Sequence, residues 1–303
     1  MSEMREHAEQ YLAARRALGH KLSGHGGLLL SFVSHLEAAG AEQITIELAI
    51  EWAMLPHDVQ PTWWSQRLSV VRCFAKHLVA TDPRTEIPPS DVLSARPRRT
   101  APHLYSAGEI TSLMVEAAKI QRPLRACTYE TLIGLLASSG LRVGEAIALE
   151  RSDVDLTQGL LTIRESKFRK SRLVPLHPTT VRALCHYACR RDELMPRPKT
   201  DNFFLSLVGS GLHHSTVNAV FRGLVGRISL ERPGQRRPRP HDLRHTFAIQ
   251  ALLGWYRAGE DVAPRLAALS TYLGHVKPSS TYWYLQSAPE LLALAAERLE
   301  VQP

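Results

Sequence analysis

The feature that most limits how this chain can fold is a break in its apolar pattern near residue 100. Ile87-Pro88-Pro89 and Ala95-Arg96-Pro97-Arg98-Arg99-Thr100-Ala101-Pro102 are rich in Pro and Arg and carry no apolar periodicity. Proline fixes φ and removes a backbone donor, so such a stretch neither continues a helix nor joins a sheet interior. It reads as a linker over 96–104 between a domain over 1–95 and another over 105–303. Each side is long enough to bury a core of its own.

The first 95 residues read as helical, from apolar residues at three- and four-residue spacing. Leu28, Leu29, Phe32, Val33 and Leu36 form one face, and Leu48, Trp52 and Leu55 form another that ends at Pro56. A helix starting near Pro61 and Thr62 turns Leu68, Val71, Phe74, Ala75 and Leu78 inward. Its other face shows Arg67, Arg72 and Lys76, at spacings equally suited to a phosphate backbone and to a solvated basic surface.

Beyond the break, Ser106-x-x-Glu109 reads as a capping box opening a helix through Ile110, Leu113 and Met114. Tyr129 to Ala137 reads as a buried helix ending at Ser138-Ser139-Gly140, and Val143 to Leu149 restarts one. Gly159 to Leu176 reads as a hairpin turning at Lys167-Phe168-Arg169-Lys170. From Pro178 onward the pattern is helical, interrupted by a basic loop over Glu231 to Pro240. The fold class is mainly α with a small β-hairpin, in two domains.

Charge narrows the partners. A net charge of +8 suits a polyanion, because Lys and Arg displace the counterions condensed on nucleic acid. A hydrophobic share of 44% against 22% charged residues excludes a disordered chain. Cys73, Cys127, Cys185 and Cys189 are scattered, no leader is visible and no apolar run is long enough to span a bilayer, so the expected setting is the cytoplasm with reduced thiols.

Four local patterns carry chemistry. In Ser139-Gly140-Leu141-Arg142-Val143-Gly144-Glu145, an Arg just past a Gly turn presents a guanidinium fork suited to a phosphate. Glu145, three residues on, shares its helix face and is placed to hold it. In Pro240-His241-Asp242-Leu243-Arg244-His245-Thr246-Phe247-Ala248, Pro240 suits helix entry and sets His241 and Arg244 on one face near an electropositive helix end. Gly274 in Tyr272-Leu273-Gly274-His275 reads as a helix terminator, and Tyr284 follows nine residues after His275. Lys167 sits at the hairpin tip. Taken singly, each pattern also fits an ordinary surface ion pair, packed His or exposed Lys.

Together and in this order, Arg142, Lys167, His241-x-x-Arg244, Leu273-Gly274-His275 and Tyr284 resemble the phage-integrase or Xer/Cre-like tyrosine recombinases, with His-Asp-Leu-Arg-His-Thr-Phe-Ala the most specific piece. The resemblance covers nearly the whole chain. It implies a helical core-binding domain over 1–95, with Arg67, Arg72, Lys76, Arg96, Arg98 and Arg99 as candidate DNA contacts, and a catalytic domain over 105–303. Arg172-Leu173-Val174-Pro175-Leu176 resembles the family's second hairpin strand, which is what places Lys167. By this resemblance Tyr284 is the nucleophile of a site-specific recombinase that joins itself to DNA through a 3′-phosphotyrosyl bond, without metal or cofactor.

The resemblance is incomplete at the nucleophile, where Tyr284-Leu285-Gln286 stands for the family's frequent Tyr-Thr-His. Tyr282 is two residues away, half a helical turn, so one of the two tyrosines faces the cleft, and the spacing from His275 selects Tyr284. The region looks most like recombinases of transposons and plasmid-borne elements. An apolar stripe over 288–300, behind a Ser287-x-x-Glu290 capping box, is a candidate for exchange between subunits of a tetramer on paired DNA sites. Cys185-His186-x-x-Cys189 with His213 and His214 has a zinc-like look, but its apolar neighbours point to a packed helix. A type IB-like topoisomerase and a non-catalytic DNA-binding relative are the alternatives.

Overall fold

The apolar spacing of the first 93 residues produces four helices: α1 (Glu3–Ala17), α2 (Ser23–Ala38), α3 (Ile46–Met54) and α4 (Pro61–Leu78). The computed structural model describes residues 2–20, 22–93, 101–164, 171–231, 234, 236–274 and 290–291. Arg96, Arg98, Arg99, Lys167, Arg169, Lys170, His275, Tyr282, Tyr284 and nearly all of 288–300 lie outside the described residues. The chain divides into two compact units, Met1–Arg99 and Thr100–Pro303.

In the first unit, helix starts are set by local chemistry. Ser2 and Thr45 turn their hydroxyls onto the amides of Arg5 and Leu48, and Pro61 opens α4 at a position that has no hydrogen bond to lose. Met4, Ala8 and Leu12 of α1 meet Leu29, Phe32, Val33 and Leu36 of α2, Trp52 of α3, and Leu68, Val71, Phe74 and Leu78 of α4. Phe32 and Trp52 pack edge to face with centroids 5.3 Å apart.

Two expectations here are corrected. Leu55 is 48% exposed, and α3 instead buries Ala49, Trp52 and Ala53, because the helix stops at Met54 before Leu55 can turn inward. Arg67 is not on an outward basic face. It is 8% exposed, its Nη2 donates to the Trp52 carbonyl at 2.5 Å, and its guanidinium lies 3.7 Å from the Trp52 ring centroid. A planar, weakly hydrated cation stacks on indole as a core element. Arg72 is half-buried and donates to the carbonyls of Pro88 and Pro89 at 2.7 and 2.6 Å, whereas Lys76 is exposed.

The second unit is built around α6 (Pro123–Ser139), whose Leu132, Ile133, Leu135 and Leu136 are all buried. It packs against α5 (Ala107–Ala118), α8 (Pro178–Leu194) and α10 (Pro240–Arg257). Ser106 and Glu109 form the reciprocal cap of α5, with bonds of 3.1 and 2.8 Å. After α7 (Val143–Ala148) come three antiparallel strands in the order β1 (Val154–Asp155), β2 (Leu160–Ile163), β3 (Arg172–Pro175). The β2–β3 register pairs Leu161 with Val174 and Ile163 with Arg172. Strand β1 is an addition to the expected hairpin. The stretch 195–213, expected to be helical, is irregular, with bridges Glu150–Asn202 and Leu205–Gly211 and with Phe203, Phe204 and Leu205 buried. Helices α9 (His214–Arg227) and α11 (Val262–Leu273) complete the described unit, in which no helix is long and apolar enough to cross a membrane.

Candidate active site

Two glycines shape the site. Gly140 ends α6 at φ +61° and Gly274 ends α11 at φ +66°, a left-handed conformation that costs other residues about 1–2 kcal/mol. Gly140 also has no room for a side chain, since a Cβ there would lie 2.5 Å from the Phe247 ring. The tight turn at Gly140 delivers Arg142 to the start of α7, and the turn at Gly274 brings the end of α11 against it.

Arg142 and Arg244 meet on those turns. Arg244 is 1% exposed and donates to the Gly140 carbonyl at 2.8 Å and the Leu273 carbonyl at 2.5 Å. Arg142 donates from Nη2 to the Gly274 carbonyl at 3.3 Å and from Nη1 to Glu145 Oε1 at 2.7 Å. Glu145 Oε2 also accepts from the Arg142 amide at 3.0 Å. Consecutive carbonyls of one helix end thus receive two guanidinium groups that come from distant parts of the chain.

Helix α10 supplies the rest. Pro240 occupies its first turn, and Asp242, 1% exposed, accepts from the Arg239 amide at 2.9 Å and from its guanidinium at 3.1 Å. Tyr105 secures the entry from outside: its amide donates to Thr246 Oγ1 at 2.9 Å and its hydroxyl to the Arg239 carbonyl at 3.1 Å. His241 and Arg244 are three residues apart on this helix, and the His241 and His245 rings meet edge to face at 4.8 Å.

The surroundings are strongly electropositive. His241 keeps an exposed surface, yet desolvation by the protein around its ring, followed by the charges of Arg244, Arg239 and Arg142, lowers its pKa from 6.5 to about 4. His245 is lowered to about 3, by burial first and then by His241 and nearby arginines. Both imidazoles are neutral at pH 7, so the positive charge around them is carried by the guanidinium groups of Arg142, Arg239 and Arg244.

Of the residues singled out in the sequence, Arg142, Glu145, His241 and Arg244 come together here. Lys76 and Arg72 belong to the other unit. No sequence motif assigns a role to Arg172 or Tyr105. Arg172 Nη1 and Nη2 donate to Glu145 Oε1 and Oε2 at 3.1 and 2.9 Å, and its Nε donates to the Tyr272 carbonyl at 2.8 Å. Its partners are 27 and 100 residues away in sequence, so no local spacing reveals them.

Comparison with known proteins identifies the family. The model of the phage integrase family matches residues 106–290. A Sinorhizobium fredii protein, provisionally named an integrase/recombinase, is 42% identical over 309 residues, covering 99% of this chain and 98% of that protein. The tyrosine recombinase XerC of Pelotomaculum thermopropionicum is 30% identical over 233 residues, covering 75% of this chain and 71% of that one. Among solved structures, the Tn1549 transposon integrase in complex with transposon right end DNA matches with TM-score 0.69 at 15% identity, covering 100% and 99% of the two chains. The XerH recombinase bound to palindromic difH substrate matches with TM-score 0.64 at 20% identity, covering 91% and 79%. At those identities the structural likeness speaks for the fold alone. The chain belongs to the phage integrase family and is a tyrosine-type site-specific recombinase.

Proposed function

We propose that this recombinase cuts and rejoins DNA with Tyr284 as nucleophile and with Arg142, Lys167, His241, Arg244 and His275 around the scissile phosphate. The observation that carries the reading is the convergence of Arg142 and Arg244 on the adjacent carbonyls of Gly274 and Leu273, with His241 on the helix that bears Arg244. Two guanidinium forks a helix junction apart suit the two non-bridging oxygens of a phosphodiester.

In the proposed reaction the Tyr284 oxygen attacks phosphorus and the bond to the 5′ oxygen breaks. A phenol with pKa ~10 is only about 0.1% ionised at neutral pH, so the attack needs help. His241, held neutral first by desolvation and then by its cationic neighbours, accepts the phenol proton. Arg142 and Arg244 stabilise the charge gathering on the five-coordinate phosphorus, a contribution of about 10²–10³ in rate for one such donor. His275 donates to a non-bridging oxygen, and Lys167 gives a proton to the departing 5′ oxygen. The 3′-phosphotyrosyl bond conserves the energy of the phosphodiester, so attack by a 5′-hydroxyl reverses the sequence and reseals a strand.

Residues 1–95 form the core-binding domain in this reading and 105–303 the catalytic domain. Lys76 is exposed and is the best-placed DNA contact on α4, while Arg96, Arg98 and Arg99 lie along the connecting stretch. The working form is a tetramer on paired sites, joined through 288–300, and it acts in the cytoplasm on a mobile element.

The test is covalent capture. The full-length protein is incubated with sheared genomic DNA carrying nicks, denatured, and the protein-linked fragments are sequenced, while mass spectrometry locates the nucleotide adduct. Wild type and Tyr282→Phe should form the adduct, and Tyr284→Phe should not. An adduct that persists in Tyr284→Phe removes the assignment.

A further inference from the structure

Arg172 opens β3, directly after the segment that carries Lys167, and the mechanism above leaves it unused. Its side chain is 12% exposed, and a Cβ on Gly274 would come 2.9 Å from its Nη1, so the guanidinium lies flat against the turn that ends α11. Taking a cation out of water is costly unless its partners compensate, and here the partners are one carboxylate and one carbonyl.

That carboxylate is shared. Glu145 Oε1 accepts from Arg142 Nη1 at 2.7 Å and Arg172 Nη1 at 3.1 Å, and Oε2 accepts from the Arg142 amide at 3.0 Å and Arg172 Nη2 at 2.9 Å. Burial works against ionisation of Glu145, but the Arg172 hydrogen bonds, the Arg142 amide and the two guanidinium charges outweigh it and hold its pKa at about 2. One fixed anion therefore faces two cations. Without Arg172, Arg142 alone would have to neutralise a buried carboxylate, and its fork would turn from the phosphate towards Glu145.

We propose that Arg172 is a positioning residue for strand cleavage: it takes up Glu145 with both terminal nitrogens so that the carboxylate holds Arg142 through Nη1 alone and does not draw its Nη2 away from the site, and it fixes the Tyr272 carbonyl beside the two that Arg142 and Arg244 contact. The proposal rests on Arg142 acting at the phosphate.

The experiment measures single-turnover cleavage at saturating full-length protein, on a nicked fragment recovered in the covalent capture, with DNA affinity and melting temperature recorded alongside. The variants are Arg172→Gln, Glu145→Gln, the double variant, and Arg142→Ala for reference. Arg172→Gln should cleave about 10–100-fold more slowly with affinity changed less than about twofold, the scale of a small misplacement of a reacting group. The double variant should cleave at least about fivefold faster than Arg172→Gln, because a neutral amide no longer captures Arg142. A purely structural role predicts the opposite, since the second change removes further bonds. If Arg172→Gln does not fold, Arg172→Lys with and without Glu145→Gln gives the same comparison, the single point charge of Lys being a poor substitute for the fork. A double variant no faster than its Arg172 parent overturns the proposal. So does wild-type cleavage by Arg172→Gln beside an inactive Arg142→Ala, whereas wild-type cleavage by Arg142→Ala removes the reading of the site itself.

Discussion

Replacing Gly140 by Ala tests how tightly the junction of α6 and α7 is built. A residue with a Cβ held at φ +61° costs about 1–2 kcal/mol. The added methyl would also sit 2.5 Å from Phe247 Cδ1 and 3.1 Å from Leu273 Cδ2, so both side chains must shift. Phe247 has little freedom to do so, because its ring is stacked on Tyr272 at 5.7 Å with planes 21° apart. Overpacking of this kind costs about 1–3 kcal/mol, which brings the total to about 2–5 kcal/mol. For a unit of this size each kcal/mol moves the melting temperature by about 2–4 °C, so a fall of at least about 4 °C is expected. Scanning calorimetry on the full chain measures it. Gly223→Ala is the matched control, because Gly223 lies inside α9 with nothing within 4 Å of a Cβ, and gaining helix propensity there should hold or raise stability. A melting temperature for Gly140→Ala within about 1 °C of wild type would refute the argument that the turn is sterically fixed.

Arg67→Met should destabilise the first unit by about 1–3 kcal/mol, because it takes from the Trp52 carbonyl the shorter of its two hydrogen bonds and from the indole its stacking partner. Lys76→Ala should instead leave urea stability within about 0.5 kcal/mol and flatten the salt dependence of DNA affinity by about one charge, and an unchanged slope would remove Lys76 from the interface. For His241, a folded pKa of about 4 against 6.5 unfolded means that its contribution to stability is complete above pH 6.5 and is lost as pH falls through 4. NMR of labelled histidine should therefore find the DNA-free ring neutral down to pH 5, with its titration moving upward when phosphates arrive, and a midpoint near 6.5 without DNA would contradict both the desolvation of the ring and its cationic surroundings.

What the sequence disclosed follows from how local each feature is. The caps at Ser106 and Pro240 and the terminators Gly140 and Gly274 act within one helical turn, so three or four residues suffice to recognise them. Strand β1 is two residues long, and the buried Phe203-Phe204-Leu205 segment follows no period because a bridge to Glu150, an amide bond to the Leu149 carbonyl and a local bridge to Gly211 hold it in place. Arg67 differs: it lies four, seven and eleven residues before Val71, Phe74 and Leu78, so helical spacing puts it on the inward face of α4, and its charge conceals this until Trp52 is seen stacked on it. Charge on a helix predicts a solvated face until a neighbouring aromatic makes burial the better option.

The same distinction explains why the proposed catalytic residues stand out in the sequence and their support does not. His241 and Arg244 share a helix face, and Arg142 follows its own Gly turn, so each announces itself within its segment. Their mutual placement depends on contacts 29, 104 and 132 residues apart, all made to main-chain carbonyls, which every residue possesses and no sequence pattern marks. A guanidinium bonded to a carbonyl reads out the position of the backbone and not the identity of a side chain. Two of them on consecutive carbonyls make the end of α11 part of the site's electrostatics, so a shift of that helix end must alter Arg142 and Arg244 together. Arg172, through its bond to the preceding carbonyl, is tied to the same helix end.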